Sequence, residues 1–160
     1  MVRPMTAADR DAVLRIVKET GFFTSVEEEV ARELIDIYLE QPGQRDYFSV
    51  VSEADGHQTA GYMTFGPTPL TEGTYDLYWM AVAPSAQGLG HGKKMVRWLE
   101  DRVRELRGRM ILIETSSTAK YFTTRQFYLG LGYKEVARIP DFYRTGDDRL
   151  VYAKHYPFKE

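Results

Sequence analysis

A glycine-rich run is the part of this chain best suited to chemistry. It reads Gln87-Gly88-Leu89-Gly90-His91-Gly92-Lys93, follows an apolar strand pattern over residues 75–82 and opens a helical pattern over residues 90–106. Main-chain N–H groups at such a helix start have no partner within the helix, and the helix dipole makes that end positive. The run therefore predicts a binding site for a pyrophosphate group.

The spacing of the glycines excludes two common phosphate-binding loops. A dinucleotide fingerprint needs a glycine three places after Gly90, where this chain has Lys93. A nucleoside-triphosphatase loop needs four residues between its glycines and then Gly-Lys-Ser/Thr. Here three residues separate Gly88 from Gly92, and Lys93 is followed by Lys94. The pattern that remains is QxxGxG after a strand.

The first third of the chain reads as helical. Its apolar residues recur at helical spacing, and two capping pairs mark where helices should begin. These pairs are Thr6 with Asp9, and Ser25 with Glu28. Two adjacent aromatic residues, Phe22 and Phe23, lie in the predicted turn between the two helices.

The rest of the chain predicts a mixed sheet with helices on its faces. Alternating apolar residues indicate strands, and Asp55-Gly56 indicates a hairpin turn. The predicted strands cover residues 46–52, 58–65, 75–82, 110–115, 133–139 and 149–156, and the later helices cover residues 90–106 and 120–129. The unit over residues 75–115 should form a right-handed parallel crossover. We expect a single domain over residues 1–160.

The composition excludes several classes of site and partner. With a net charge of -2, the chain gives no electrostatic reason to expect a nucleic-acid or membrane partner. It contains no cysteine, and His57, His91 and His155 are too scattered to form a metal site. The start of the sequence lacks the apolar run of a signal peptide. We therefore expect a metal-free cytoplasmic protein.

Two motifs together resemble the GNAT superfamily of N-acetyltransferases. The first is the QxxGxG run after residues 80–84, and the second is Phe127-Tyr128-Leu129-Gly130-Leu131-Gly132-Tyr133, which is similar to the FYxxxGF/Y segment of that family. In the family the first loop holds the pyrophosphate of acetyl-coenzyme A. The resemblance covers nearly the whole chain. It implies a mixed, mostly antiparallel sheet of about six or seven strands, flanked by helices on both faces, with one parallel strand-helix-strand crossover.

The resemblance also implies where the coenzyme binds. The main chain near the end of the central strand should pair with the pantetheine arm, and the loop amides should hold the phosphates. The residues expected to contact the coenzyme are Met80, Ala81, Val82, Gln87, Gly88, Leu89, Gly90, His91, Gly92, Lys93 and Tyr121. Tyr121 stands where family members often carry an asparagine, so a hydroxyl of Tyr121, Ser116 or Ser117 would replace that contact.

Acetyl transfer to an amine needs an acid, a base and a group that stabilises the oxyanion. Tyr128 stands at the position of the family's general acid in the FYxxxGF/Y segment. Its chemistry suits that role, because a phenol of pKa about 10 can protonate a departing thiolate of pKa about 8.5. The backbone N–H of Met80 would stabilise the oxyanion. Asp76 would act as the base through water, with Glu114 as its rival.

The acceptor amine is less well indicated by the sequence. Three segments are expected to border its site, namely the Phe22-Phe23 turn, residues 67–73 and residues 140–148, which include Asp141 and Tyr143. Two of these segments also have a structural explanation, since Phe22 and Phe23 fit a hydrophobic staple and the aspartates of residues 140–148 fit turns. The alternative function is a coenzyme A-binding sensor without transferase activity. The sequence is also compatible with a homodimer.

Overall fold

The structure, a computed structural model, describes residues 1–156. The described chain forms seven strands and four α-helices. These are β1 (Val2–Pro4), α1 (Arg10–Glu19), α2 (Ser25–Glu40), β2 (Phe48–Glu53), β3 (Thr59–Pro67), β4 (Thr74–Val82), α3 (His91–Glu105), β5 (Met110–Ser116), α4 (Phe122–Gly130), β6 (Lys134–Arg144) and β7 (Asp147–His155).

The strands form one mixed sheet in the order β1-β2-β3-β4-β5-β7-β6. Antiparallel pairing joins β1 with β2, β2 with β3, β5 with β7, and β6 with β7. Residues Thr74 to Leu77 of β4 pair in parallel with Met110 to Ile113 of β5. The predicted fold class is therefore confirmed, including the parallel crossover through α3.

The chain packs into two compact units. The first comprises residues 1–67 and 78–102, and the second comprises residues 68–77 and, within the described chain, residues 103–156. The expectation of a single domain stays a prediction. No helix in the described residues is both long and apolar enough to cross a membrane.

In the first unit, helices cover both faces of the strands. Tyr62 of β3 belongs to a buried cluster with residues of α1 and α2, so this face of the sheet lies under those helices. The neighbouring positions of β3 point the opposite way. Accordingly, the Phe65 ring lies 5.9 Å from that of Trp98 in α3, and a Cβ on Gly61 would lie 3.0 Å from Met95. Successive residues of β3 thus support opposite helical layers.

The capping box of α2 lies one residue earlier than predicted. Thr24, not Ser25, is the N-cap residue, and its hydroxyl accepts a hydrogen bond from the Glu27 amide at 3.2 Å. In return, the Glu27 carboxylate accepts from the Thr24 amide at 2.6 Å. Both pairs fit the capping-box spacing, and the extended backbone of Thr24 decides between them.

The sequence analysis missed β1. This strand has only three residues and pairs with β2 through contacts such as Val2 with Ser52, about fifty positions away. No local alternation could indicate so short a strand. The hairpin of β2 and β3 at Asp55-Gly56 is confirmed, since Gly56 adopts a φ of 76° within the connecting turn.

In the second unit, the long edge strand β6 corrects the predicted connection between the last two strands. Residues 140–148 were expected to form a loop, but β6 continues to Arg144 and only two residues separate it from β7 at Asp147. The register shifts between Ile139 and Arg144, where the strand bulges. Every residue of β6 is exposed. Pro140 is compatible with this position because an edge strand has an unpaired side.

In the first unit, Arg3 links the amino-terminal strand to two buried carboxylates. Its guanidinium donates to both carboxylate oxygens of Asp9, at 2.8 and 2.9 Å, and to Glu53 at 2.7 Å. Asp9 also accepts a bond from the Thr6 amide at 2.8 Å. Hydrogen bonding to Arg3 lowers the pKa of both carboxyl groups.

Replacing Arg3 with methionine should therefore destabilise the protein by about 2–3 kcal/mol at pH 7, because it leaves the Asp9 carboxylate buried without its cation. A lowered carboxyl pKa stabilises the fold fully above the unfolded value of about 4, and that contribution is lost progressively as the pH falls from there through the lower folded-state pKa. The free energy of unfolding of R3M in urea should therefore converge on that of wild type only as the pH falls well below about 4. The exposed Arg15 provides the control R15M. Equal losses in both variants would contradict this account.

Candidate functional site

The glycine-rich run lies where the sequence places it, between β4 and α3 in the first unit. A short 3-10 turn over Pro84–Ala86 follows β4, residues 87–90 form a further turn, and α3 begins at His91. The Lys94 amide donates to the Gly90 carbonyl at 3.0 Å, which is where the helical ladder begins. The amides of residues 91–93 precede that ladder, so helix geometry leaves them available to an anion.

Two glycines of the loop need their special conformational freedom. Gly88 and Gly90 have φ values of 78° and 86°, in the left-handed region that side chains disfavour. A Cβ at either position would meet no other heavy atom within 4 Å, and both residues are exposed. The outer surface of the loop is therefore open main chain. Such a surface fits a phosphate group, which must come close to the backbone N–H groups.

Two side chains tie this loop to the strands of the first unit. The side-chain amide of Gln87 donates to the Val82 carbonyl at 3.2 Å. His91 is buried, and its Nδ1 lies 2.7 Å from the Oγ of Ser52 in β2. Burial lowers the pKa of His91, and the positive charge of Lys94 lowers it further, so the ring is neutral at pH 7. By contrast, Leu89 and Lys93 are exposed.

The end of β4 leads directly into this loop. Met80 and Val82 are half-buried, whereas Ala81 belongs to the buried cluster under α1 and α2. The Val82 carbonyl accepts the Gln87 bond, and the Ala83 amide donates to the Ala60 carbonyl at 2.8 Å. The strand end is thus held from both sides within the unit. Of the three predicted β4 residues, Ala81 has its side chain in the core.

An aromatic group connects the turn between α1 and α2 to β4. The Phe22 and Phe23 rings meet edge to face at 5.5 Å, and the Phe23 and Trp79 rings meet at 5.1 Å. Phe23 and Trp79 also pack against the buried cluster of the first unit. Such rings prefer this arrangement. Phe22 and Phe23, predicted to border the acceptor site, therefore have a packing role. Their aromatic partner Trp79, directly before Met80, was not predicted from the sequence.

In the second unit, Tyr128 is a buried residue of α4. Its ring meets those of Phe127 and Tyr133 edge to face, at 5.1 and 6.0 Å. Its carbonyl accepts from the amides of Leu131 and Tyr133, both at 3.1 Å, which closes the end of the helix. Burial raises the pKa of the Tyr128 phenol, so the group stays protonated at neutral pH.

The two carboxylates predicted as rival bases, both in the second unit, have different partners. Asp76 of β4 is half-buried and accepts a hydrogen bond from the Thr68 hydroxyl at 2.6 Å. Glu114 of β5 is exposed and forms an ion pair with Arg149 of β7. Asp76 therefore has a neutral partner, whereas Glu114 is held by a cation.

The Ser116 and Ser117 hydroxyls, both expected near the coenzyme, form hydrogen bonds within the second unit. The Ser116 hydroxyl donates to the buried Asp147 at 2.5 Å, and the Ser117 hydroxyl accepts from the Asp148 amide at 2.8 Å. Tyr121 is half-buried at the start of α4, with the Lys120 ammonium 5.9 Å from its ring centre.

The acidic segment at the β6–β7 turn is built from its own hydrogen bonds. Asp148 accepts from the Asp141 amide at 2.9 Å and from Arg138 at 2.7 Å. Asp141 has a φ of 54° and accepts from the Gly146 amide at 2.7 Å. Tyr143 is exposed and stacks edge to face on Phe142 at 5.0 Å. These carboxylates therefore shape the turn, as Asx chemistry predicts.

Within the first unit, the structure brings together the loop, the end of β4 and the aromatic group. Tyr128, Asp76, Glu114, Tyr121, Asp141 and Tyr143 belong to the second unit. The sequence analysis missed Ser52, Trp79 and Arg149 because their partners lie far away along the chain. The described residues contain no group of three or more histidine or acidic side chains arranged to hold a metal ion.

Comparison with known proteins agrees with this geometry. Residues 44–135, more than half of the chain, match the family model described as an acetyltransferase (GNAT) domain. A solved structure from Desulfovibrio desulfuricans, assigned to the GNAT acetyltransferase family, is 42% identical with a TM-score of 0.91. That alignment covers 97% of this chain and 98% of the other. A search of curated proteins gave no match.

More distant solved structures share the fold. An aminoglycoside 6'-N-acetyltransferase complexed with coenzyme A is 18% identical with a TM-score of 0.75, covering 100% of this chain and 99% of that one. The ribosomal-protein-S18-alanine N-acetyltransferase from Escherichia coli is 18% identical with a TM-score of 0.77, covering 100% and 96%. On the family match and the 42% identical structure, this chain belongs to the GNAT family of acetyltransferases.

Proposed function

We propose that this protein transfers an acetyl group from acetyl-coenzyme A directly to a primary amine of a small molecule or a peptide. The observation that carries the proposal is the loop of residues 87–93, whose open main chain lies at the start of α3. Membership of the GNAT family supplies the reaction class. A family neighbour has been solved in complex with coenzyme A, which supports the choice of acetyl donor.

The loop fits the diphosphate of the coenzyme. Neutral amides of residues 88–93 would donate to its oxygens, and the positive helix end would favour its charge. Since Gly88 and Gly90 carry no side chain, the phosphates could approach the backbone without a clash. Exposed Lys93 would add a point charge. The main chain of Met80, Ala81 and Val82 would pair with the pantetheine arm.

In this proposal, Tyr128 protonates the departing thiolate. Its phenol remains protonated at neutral pH because burial raises its pKa, which is the state required of an acid. The backbone N–H of Met80 would donate to the carbonyl oxygen as negative charge develops there. Both roles are inferred from the family motif and the local chemistry of each residue.

We favour Asp76 over Glu114 as the base. One oxygen of the Glu114 carboxylate, Oε1, is already bound by the Arg149 guanidinium. The Asp76 carboxylate, with the neutral Thr68 hydroxyl as its partner, keeps lone pairs available for a water molecule. Such a water would carry the proton from the acceptor ammonium.

For the acceptor, two separate proposals follow from the two units: in the first unit, Phe22 and Phe23 contact the amine substrate, and in the second unit, Asp141 and Tyr143 near the end of β6 do so. The half-buried Phe22 ring packs on Phe23, and the exposed Tyr143 ring packs on Phe142. Aromatic faces of this kind bind both apolar groups and ammonium groups. Exposed Asp141 adds negative charge that would attract a cationic amine.

Replacing Gly90 with glutamate should abolish measurable coenzyme A binding, because the side chain would occupy the approach to the amides and repel the phosphates. Isothermal titration calorimetry of wild type and G90E measures this directly. G56E is the matched control, since exposed Gly56 also has a left-handed φ, of 76°, and a Cβ there meets no atom within 4 Å. Equal affinities in wild type and G90E would remove the loop from the binding site.

Replacing Tyr128 with phenylalanine should lower kcat by about 10²–10⁴ while coenzyme A affinity changes little, as expected when a general acid is lost. Thiol release in a screen of amines and peptide amino termini provides the assay. Y133F is a matched control because Tyr133 is a buried tyrosine next to Tyr128. An unchanged kcat in Y128F would exclude Tyr128 as the acid.

A further inference from the structure

His91 differs from the rest of the loop in which it lies. Its side chain is buried, with 6% exposure, whereas Gln87, Leu89 and Lys93 are exposed. The three glycines of the loop have no side chains to pack. His91 is therefore the residue of this run whose side chain packs into the interior of the first unit.

Its partner Ser52 belongs to the body of the sheet. Ser52 is fully buried in β2, paired with Val2 of β1 on one side and Gly61 of β3 on the other. A strand held on both sides moves little, and the register shift after Ser52 locally turns its side chains. The 2.7 Å bond from Ser52 Oγ to His91 Nδ1 thus connects the loop to a fixed point.

The loop has a second connection at its other end. Gln87 donates to the Val82 carbonyl of β4 at 3.2 Å. Between Gln87 and His91, Gly88 and Gly90 adopt left-handed conformations that an unattached chain would sample only part of the time. Fixing both ends reduces the conformations available to the intervening amides. A preorganised binding loop loses less entropy when its ligand binds.

We propose that Ser52 and His91 form a positioning pair that sets the direction of the loop amides toward the diphosphate of the coenzyme. This inference rests on the proposed function. Neither side chain touches the ligand in this account. Ser52 holds the imidazole, the imidazole holds the first turn of α3, and that turn presents the amides of residues 91–93.

The test compares coenzyme A affinity in four variants by calorimetry. S52A and H91L each remove the bond, so each should raise Kd by about tenfold, the upper range for losing one buried hydrogen bond. The double variant S52A/H91L should be no worse than either single variant, because both remove the same interaction. H91N, which keeps a polar atom near the position of Nδ1, should recover most of the affinity.

Ser49 provides a matched control in the same strand. It is also buried, and its hydroxyl lies 2.8 Å from that of Thr64, so S49A removes a comparable bond away from the loop. S49A and S52A should lose similar thermal stability, but S49A should bind coenzyme A as wild type does. If S52A acted only through a general loss of stability, both variants would lose coenzyme A affinity alike. If Ser52 has a positioning role, only S52A should lose affinity.

The outcomes distinguish this inference from the function on which it rests. If wild type binds coenzyme A, G90E does not, and S52A and H91L bind within about twofold of wild type, the positioning pair is wrong and the proposed function stands. Additive losses of coenzyme A affinity in the double variant would also overturn it. So would equal losses of coenzyme A affinity in S49A and S52A. If wild type binds no coenzyme A, the proposed function fails and this inference fails with it.

Discussion

A short piece of exposed main chain at the start of α3 is the feature on which the rest of this protein's proposed site depends. In residues 87–93, glycine replaces side chains where a ligand must approach, and Gly88 and Gly90 hold φ values that other residues disfavour. No strong charge is needed at such a site, which is consistent with a chain of net charge -2. Binding there depends on where the amides point, and the surrounding structure has to control that direction.

The first unit provides that control through its layers. Tyr62 and Val51 bury one face of the strands under α1 and α2, while Phe65 and Met95 pack the other face against α3. The start of α3 is thereby fixed over the strands. Arg3 closes the edge of the same unit by bridging Asp9 and Glu53. These contacts do not touch a ligand, yet they determine where the loop begins and ends.

Local sequence patterns predicted most of the fold because most elements have a clear period. The loop and the hairpin at Asp55-Gly56 have signals contained within a few residues, and the crossover through α3 follows from the order strand, helix, strand over residues 75–115. Features that depend on distant partners were not predictable in this way. Three-residue β1 is a strand only because β2 lies beside it, and His91 is buried because Ser52, 39 positions earlier, faces it. The local sequence indicated the chemical type of each residue, but it did not indicate the distant residue that each one contacts.

The most direct measurement is a crystal structure of the protein soaked with coenzyme A. The account predicts the diphosphate within hydrogen-bonding distance of the main-chain nitrogens of residues 88–93. The Ser52 hydroxyl should still be bonded to the His91 imidazole beneath them, with neither side chain in contact with the ligand. Density for the diphosphate at any other place on the protein, or a fully occupied coenzyme whose phosphates leave these nitrogens untouched, would contradict it.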